Sequence, residues 1–371
     1  MDQFHDIRPY NDDEVAGVLD NLVNTPDFID TIVGFKFAKW PKWTRGLLAV
    51  LVKRVLRKEV GKISDVRSFQ MQVASYMERM INTTTTDVEY RGIDKLAKNE
   101  GYLFLSNHRD IAMDPAFVNY GLYLNGLDTV RIAIGDNLLR RPFVSDLMRL
   151  NKSFIVKRSV NGVREMMAAF GQLSDYITHS LTKEHSNIWI AQKEGRAKDG
   201  MDQTDPAIIK MFFMSQKKQK VSFPEAMANL KIVPVSISYE YDPCAFEKAR
   251  ELHQKSTTGA YEKTEFEDID SIRKGIVGRK GKVIVTFGDV ITENCDTPDA
   301  MVAEVDRQII GHYAIQSTNI AASKMLKGEA AGDRIFEEYM ETCPEELRET
   351  VLTMYANPLL QQQAKGLSES K

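Results

Sequence analysis

The sequence has few cysteines, and they lie far apart. Its 371 residues include three of them, Cys244, Cys295 and Cys343. Because they form no CxxC pair, the sequence predicts neither a disulfide framework nor a cysteine-ligated zinc site. We therefore expect reduced thiols, as in an intracellular protein.

Long hydrophobic runs and an excess of positive charge are also missing. The strongest apolar run near the N-terminus, residues 46–52, is much shorter than the ~20 residues that a membrane span requires. Residues 1–10 are polar and acidic, unlike a secretory signal peptide. The formal net charge is -3, so no general basic field indicates nucleic acid. We therefore expect a cytoplasmic protein without a transmembrane helix, whose contact with a membrane is peripheral.

Charge is strongly segregated at the start of the chain. Residues 1–30 carry eight acidic residues and one Arg, whereas residues 31–61 carry eight basic residues and one Glu. At about 100° per residue, residues 47–58 form a helix with a basic side and an apolar side. The apolar side comprises Leu48, Leu51, Val52, Val55 and Leu56. Such a helix packs on the protein core or lies on an anionic membrane surface, and the preceding Trp40 and Trp43 favour the membrane.

A run of threonines, Thr83 to Thr86, is the best candidate for a linker, because the pattern changes after it. Beyond it, apolar segments alternate with helical ones such as 162–179 and 206–219, which is typical of an α/β domain with a buried sheet. The predicted strands are 102–105, 130–134, 153–156, 187–191, 232–238 and 282–287. The fold class is therefore α/β, with a mixed, largely buried sheet flanked by helices. We predict a helical region at 1–85, the α/β domain at 86–297 and a helical region at 298–371.

A predicted strand that runs into Ser106, Asn107 and His108 carries the strongest chemical signal. Loops at strand ends hold the reactive groups of α/β folds, and two carboxylates, Asp110 and Asp114, follow closely. A carboxylate that accepts a hydrogen bond from one imidazole nitrogen leaves the other nitrogen free to take a proton. His108 is therefore a candidate general base for an alcohol, beside the ordinary alternative of a structural histidine.

The segment at 101–117 resembles the first motif of the glycerolipid acyltransferase superfamily, which includes glycerol-3-phosphate and lysophosphatidic acid acyltransferases. In that family, Asn-His follows a strand and an Asp lies five residues past the His. Here Asp114 lies six residues past His108, so the motif departs from the pattern by one residue. The following Pro115 makes Asp114 the better match, and Asp110 is the alternative.

Three further segments follow in the family's order. Residues 151–159 are similar to the second motif, in which a strand ends in basic residues that hold the glycerol phosphate; the matching residues are Lys157 and Arg158. Residues 188–200 are similar to the third motif but lack its spacer before Arg. The residues that match it are Glu194, Gly195 and Arg196, of which Arg196 would be a second phosphate clamp. Residues 232–243 are similar to the fourth motif, with the alternative that Pro234 and the apolar run simply form one wall of the pocket.

This resemblance spans roughly residues 90–290 and implies a reaction. An acyl group would pass from acyl-CoA or acyl-carrier protein to a hydroxyl of glycerol 3-phosphate or lysophosphatidic acid, in phospholipid synthesis. His108 would be the base and Asp114, or Asp110, its orienting carboxylate. The implied substrate-binding residues are Asn107, Lys157, Arg158, Glu194, Gly195 and Arg196. No cofactor beyond the acyl donor is expected, and no metal, because too few His or Cys ligands lie nearby.

Two other functions stay open. The departures in the first and third motifs are compatible with a catalytically silent lipid-binding protein on an anionic membrane surface. The same base could also activate water, which would make the protein an acyl thioesterase. An acyl-enzyme is not expected in any of these functions, because the chain has no GxSxG sequence.

Overall fold

The apolar segments predicted as strands are strands in the computed structural model, which describes residues 2–37, 40–264, 266–292 and 295–367. The strands are β1 (Thr85–Arg91), β2 (Leu103–Ser106), β3 (Arg131–Gly135), β4 (Ser153–Val156), β5 (Ile188–Ala191), β6 (Ile232–Tyr239) and β7 (Gly281–Phe287). The chain divides into unit 1, Met1–Tyr76 with Arg131–Ala169, and unit 2, Met77–Val130 with Phe170–Lys371.

Helices surround these strands in the sequence. They are α1 (Asp12–Asn24), α2 (Pro26–Lys36), α3 (Arg45–Val60), α4 (Val66–Thr84), α5 (Met113–Leu124), α6 (Pro142–Leu150), α7 (Val163–Thr182), α8 (Pro206–Lys218), α9 (Phe223–Leu230), α10 (Ala245–Thr258), α11 (Glu267–Val277), α12 (Pro298–Gly311), α13 (Ser317–Leu326), α14 (Arg334–Glu341) and α15 (Arg348–Ala364). The helical nature of the region after residue 298 is confirmed. Within the described ranges, no helix is both long and apolar enough to cross a membrane.

The sheet of unit 2 has the strand order β1-β7-β6-β2-β5. Strand β2 runs parallel to both β5 and β6, whereas β6 and β7 are antiparallel, so the sheet is mixed. Every residue of β2 and of β6 is buried. Strands covered on both faces read as continuous apolar runs, which is why the sequence indicates them clearly. The predicted fold class, a mixed α/β sheet with flanking helices, is confirmed.

The threonine run is not a linker. Thr83 and Thr84 end α4, and β1 begins at Thr85 without an intervening loop. The Thr84 hydroxyl donates to the Met80 carbonyl at 2.8 Å, and the Thr84 carbonyl accepts from the Lys280 backbone N–H at 2.7 Å. Threonine is β-branched and suits a strand. The threonine run therefore leads from the end of α4 directly into β1 instead of forming a loop. The division into 1–85, 86–297 and 298–371 remains a prediction.

Helix α3 of unit 1 buries part of its predicted apolar side. Leu48 and Val52 pack with residues of α2 in one apolar cluster, as expected. Leu51 and Val55 of the same apolar side are 54% and 52% exposed. The neighbouring helices α1 and α2 therefore cover only a stripe of that side, and the width of the apolar side does not show which stripe is covered. Lys39 of the basic stretch lies outside the described residues.

Candidate active site

Asn107 fixes the loop that follows β2. Its side chain is fully buried, its Oδ1 accepts from the Ile237 backbone N–H at 2.8 Å, and its Nδ2 donates to the Ile237 carbonyl at 3.1 Å. The amide thus continues the pairing of β2 with β6 by one residue and presents His108 at the end of the strand. These contacts indicate a positioning role for Asn107, and its substrate-binding role remains a prediction.

His108 contacts the carboxylate of Asp114. The imidazole Nδ1 lies 2.8 Å from Asp114 Oδ2, and the His108 side chain is 14% exposed whereas that of Asp114 is fully buried. An ionised carboxylate only accepts hydrogen bonds, so Nδ1 carries the proton and Nε2 keeps a free lone pair. The ring also packs edge-on against Trp189, with centroids 5.7 Å apart. This geometry suits His108 Nε2 for taking a proton from a substrate.

The Asp114 carboxylate receives donors on both oxygens. Oδ2 also accepts from the backbone N–H groups of Arg109 at 2.6 Å and Asp110 at 2.9 Å. Oδ1 accepts from the Tyr239 hydroxyl at 2.7 Å. Asp114 lies in the first turn of α5, where the helix dipole favours negative charge. Together these donors offset the cost of burying the charge, so Asp114 is suited to stabilise an imidazolium.

Asp110, the alternative partner of His108, binds backbone N–H groups at the start of α5 instead of the imidazole. Its Oδ1 accepts from the backbone N–H groups of Ala112 at 3.0 Å and Met113 at 2.9 Å, at the start of α5. Burial, and then the neighbouring Asp114, raise the pKa of the Asp110 carboxyl above its ordinary value. Asp110 therefore stabilises the beginning of the helix, while Asp114 contacts the imidazole.

The loop that follows β5 contacts the His108 loop. The Ala197 backbone N–H donates to the His108 carbonyl at 2.8 Å. Glu194 and Gly195 are exposed, and Gly195 has a φ of +77°, which a side chain would disfavour. Arg196 is half-buried, and its guanidinium has no hydrogen bond or ion pair with any residue that the structure describes. An uncommitted guanidinium thus lies one residue from a direct contact with the His108 backbone.

A buried ion pair that sequence reasoning missed links these two loops. Arg109 Nη2 donates to Asp202 Oδ2 at 2.6 Å, and its two Nη atoms donate to the carbonyls of Ala197 and Gly200, each at 3.1 Å. The backbone of Asp202 is in turn bound by the side chain of Gln361 on α15, at 2.7 and 3.0 Å. The only sign of this ion pair in the sequence is a basic residue, Arg109, directly after His108. No spacing in the sequence indicates that its partner is Asp202.

Lys157 and Arg158 belong to unit 1 and follow β4. The Lys157 ammonium forms an ion pair with Asp6. Arg158 is exposed, and its backbone N–H donates to Asp136 Oδ1 at 3.2 Å. Asp136 thereby fixes the loop, since it also accepts from the Ser159 N–H at 3.1 Å. The substrate-binding roles of Lys157 and Arg158 remain predictions.

The unit 2 site has side chains that could supply a general base. Nothing in the described ranges groups three or more His, Cys, Asp or Glu side chains as ligands for a metal ion. The His108–Asp114 pair can take the proton of a hydroxyl and return it to a leaving group, and Arg196 can bind an anion nearby.

The site lies in the part of the chain that matches a known family. Residues 87–238 match the family model described as Acyltransferase. The match includes both loops of the candidate site and agrees with the family resemblance of the motifs.

Other comparisons add little to this. One solved structure similar to this chain is the 1-acyl-sn-glycerophosphate (LPA) acyltransferase PlsC from Thermotoga maritima. The two share 14% sequence identity with a TM-score of 0.37, and the similarity covers 79% of this chain and 90% of that chain. No curated protein matches the chain.

Proposed function

We propose that this protein is an O-acyltransferase of phospholipid synthesis, which transfers a fatty acyl group from acyl-CoA or acyl-carrier protein to a glycerol-phosphate hydroxyl. The observation that supports the proposal most is the 2.8 Å contact between His108 Nδ1 and the buried Asp114 carboxylate at a strand end. The family match at residues 87–238 supports acyl transfer as the class of reaction.

In the proposed mechanism, His108 Nε2 takes the acceptor's hydroxyl proton while the oxygen attacks the thioester carbonyl. A carbon–oxygen bond forms, and the intermediate then expels the thiolate as the carbon–sulfur bond breaks. The imidazolium returns the proton to the thiolate, so neither an acyl-enzyme nor a cofactor takes part. Asp114 stays ionised and stabilises the imidazolium between the two proton transfers.

The acceptor in this proposal carries a phosphate. Arg196 would bind it, because a guanidinium can hold two phosphate oxygens at once in a fixed geometry. Arg158 matches the family's other phosphate-binding position, and Lys157 is beside it. Binding the phosphate would align the glycerol hydroxyl with the base and the thioester, which lowers the entropic cost of the reaction.

Replacing Arg196 with alanine is expected to raise KM for the acceptor by about 10- to 100-fold, with a smaller effect on KM for the thioester. Arg196→Lys should recover part of the loss, because an ammonium supplies charge without the bidentate geometry. Steady-state kinetics with each substrate varied in turn measures both constants, and Arg158→Ala is expected to act in the same direction. The exposed Arg250 of α10 is a matched control, and an unchanged acceptor KM in Arg196→Ala would contradict the assignment.

One assay separates the proposal from its rivals. Purified protein receives labelled acyl-CoA or acyl-carrier protein, with glycerol 3-phosphate, lysophosphatidic acid or no acceptor. An acyltransferase forms a labelled glycerolipid in the presence of an acceptor. A thioesterase releases fatty acid without one, and a silent lipid-binding protein leaves the thioester intact.

We also propose that α3 of unit 1 rests on an anionic membrane, where lysophosphatidic acid is found. Trp43, Leu47, Leu51 and Val55 follow one another at four-residue intervals and are 80%, 74%, 54% and 52% exposed. Arg54 and Lys58 of the same helix are exposed as well. A tryptophan just before a helix, together with aliphatic and basic side chains on the exposed side of that helix, favours the interface of an anionic bilayer.

Replacing Trp43, Leu47 and Leu51 with serine is expected to weaken vesicle binding at least ten-fold, since burying each apolar side chain contributes about 1.5–3 kcal/mol. Co-sedimentation with vesicles of phosphatidylcholine and phosphatidylglycerol measures the affinity. The control replaces three residues of unit 2 that are 55%, 50% and 53% exposed, namely Leu124, Phe266 and Ile335. Equal losses in both variants, or no binding by the unmodified protein, would contradict the proposal.

A further inference from the structure

Tyr239 contacts the side of the Asp114 carboxylate that faces away from the imidazole. Its hydroxyl donates to Oδ1 at 2.7 Å, while His108 and two backbone N–H groups contact Oδ2. Both Tyr239 and Asp114 are buried. Without the hydroxyl, Oδ1 would lose this donor in a place where water does not readily replace it.

The Tyr239 hydroxyl is held in place by the sheet rather than by a loop. Tyr239 is the last residue of β6, which pairs with β2 and β7. Its ring packs against Phe117 of α5, with centroids 5.9 Å apart. Burial, and then the nearby Asp114, raise the pKa of the Tyr239 hydroxyl well above its ordinary value, so it stays protonated and remains a donor.

We infer that Tyr239 is a positioning residue that holds the Asp114 carboxylate in the orientation that presents Oδ2 to His108 Nδ1. A carboxylate can rotate about the bond to its Cβ, which turns the oxygen that faces the imidazole out of line with Nδ1–H. A donor on Oδ1 together with two donors on Oδ2 opposes that rotation and keeps His108 in the Nδ1–H tautomer. The effect on catalysis rests on the proposed function, whereas the effect on the tautomer does not.

The test compares Tyr239→Phe with Tyr241→Phe. Tyr241 is also buried, and its hydroxyl has no hydrogen-bond partner among the described residues, so it is a matched control. Tyr239→Phe is expected to lower kcat roughly ten-fold with nearly unchanged KM for both substrates, because the lost hydrogen bond is to a charged group. Tyr241→Phe should stay within about two-fold of the unmodified protein, since it removes a hydroxyl that donates to no described partner.

A second measurement needs no turnover. In protein labelled with ¹⁵N-histidine, the shifts of Nδ1 and Nε2 report the tautomer of each of the six histidines, and a His108→Gln variant identifies the signals of His108. We expect the Nδ1–H tautomer in the unmodified protein and in Tyr241→Phe. In Tyr239→Phe, the two His108 signals should move toward each other as the tautomers exchange.

Unchanged kcat together with unchanged His108 signals in Tyr239→Phe would overturn the inference. If the unmodified protein transfers no acyl group, the proposed function fails, and the nitrogen shifts still decide the role of Tyr239. If Tyr239→Phe does not fold, 3-fluorotyrosine at position 239 keeps the ring and strengthens the donor. A shift of the His108 signals in that protein supports the inference, and no shift overturns it.

Discussion

Replacing His108 with alanine is expected to lower kcat for acyl transfer by about 1,000- to 10,000-fold, because the proposed mechanism assigns removal of the acceptor's proton to this imidazole. The fold should survive the change. Asp114 keeps the donors from Tyr239 and from the backbone of Arg109 and Asp110, so its charge is not left unpaired. The expected result is therefore a folded protein with almost no transferase activity.

Initial rates measured with labelled thioester, together with Tm from circular dichroism, separate the loss of chemistry from the loss of structure. His253→Ala on α10 is the control, since it removes an imidazole outside the site loops. Activity near that of the unmodified protein in His108→Ala would contradict the mechanism, and it would leave lipid binding as the better interpretation of the family match.

The second large effect is expected from Asp114→Asn, which should lower kcat by about 1,000-fold. An amide oxygen can still accept from Nδ1, but a neutral amide does not stabilise the imidazolium that forms during proton transfer. Steady-state kinetics over a range of pH measures the effect. Tm should change little, because the amide still fills the same space between Tyr239 and the backbone N–H groups.

Asp110→Asn is the matched comparison for Asp114→Asn. Asparagine keeps the Oδ1 acceptor for the N–H groups of Ala112 and Met113, so kcat should stay within a few-fold of that of the unmodified protein. A pKa that burial raises in the folded state means that Asp110 contributes stability at low pH and loses it as pH rises through that pKa. Asparagine avoids this loss.

The Asp110→Asn protein should therefore gain stability relative to the unmodified protein as pH rises above 3.8, the ordinary value for this carboxyl, and urea unfolding at a series of pH values from 4 to 8 measures the difference. A large loss of kcat in Asp110→Asn, with little loss in Asp114→Asn, would reverse the assignment of the two carboxylates.

The sequence predicts the buried strands well because each is a short apolar run. It misses β1, whose residues Thr85–Arg91 are polar and partly exposed and therefore lack that signal. It also does not show which part of the apolar side of α3 is buried, because the positions of α1 and α2 decide which stripe is covered. In each case the missing information lies in a neighbouring element rather than in the local pattern.

The candidate site shows the same division. The sequence identifies His108 and two possible carboxylates, but spacing alone does not distinguish a carboxylate that begins a helix from one that contacts the ring. Tyr239 contacts Asp114 from 125 positions further along the chain, and Asp202 contacts Arg109 from 93 positions further along. Such pairs depend on the register of β6 and on the path of a loop, which no local motif encodes.

The Gln361 side chain has a consequence for how this protein can be divided. It holds both backbone groups of Asp202, which pairs with Arg109, the residue next to His108. The segment that matches the family model ends at residue 238, before α15 begins. A fragment limited to that segment would contain His108 and Asp114 but not Gln361, so the proposed activity should require residues well beyond the matched segment.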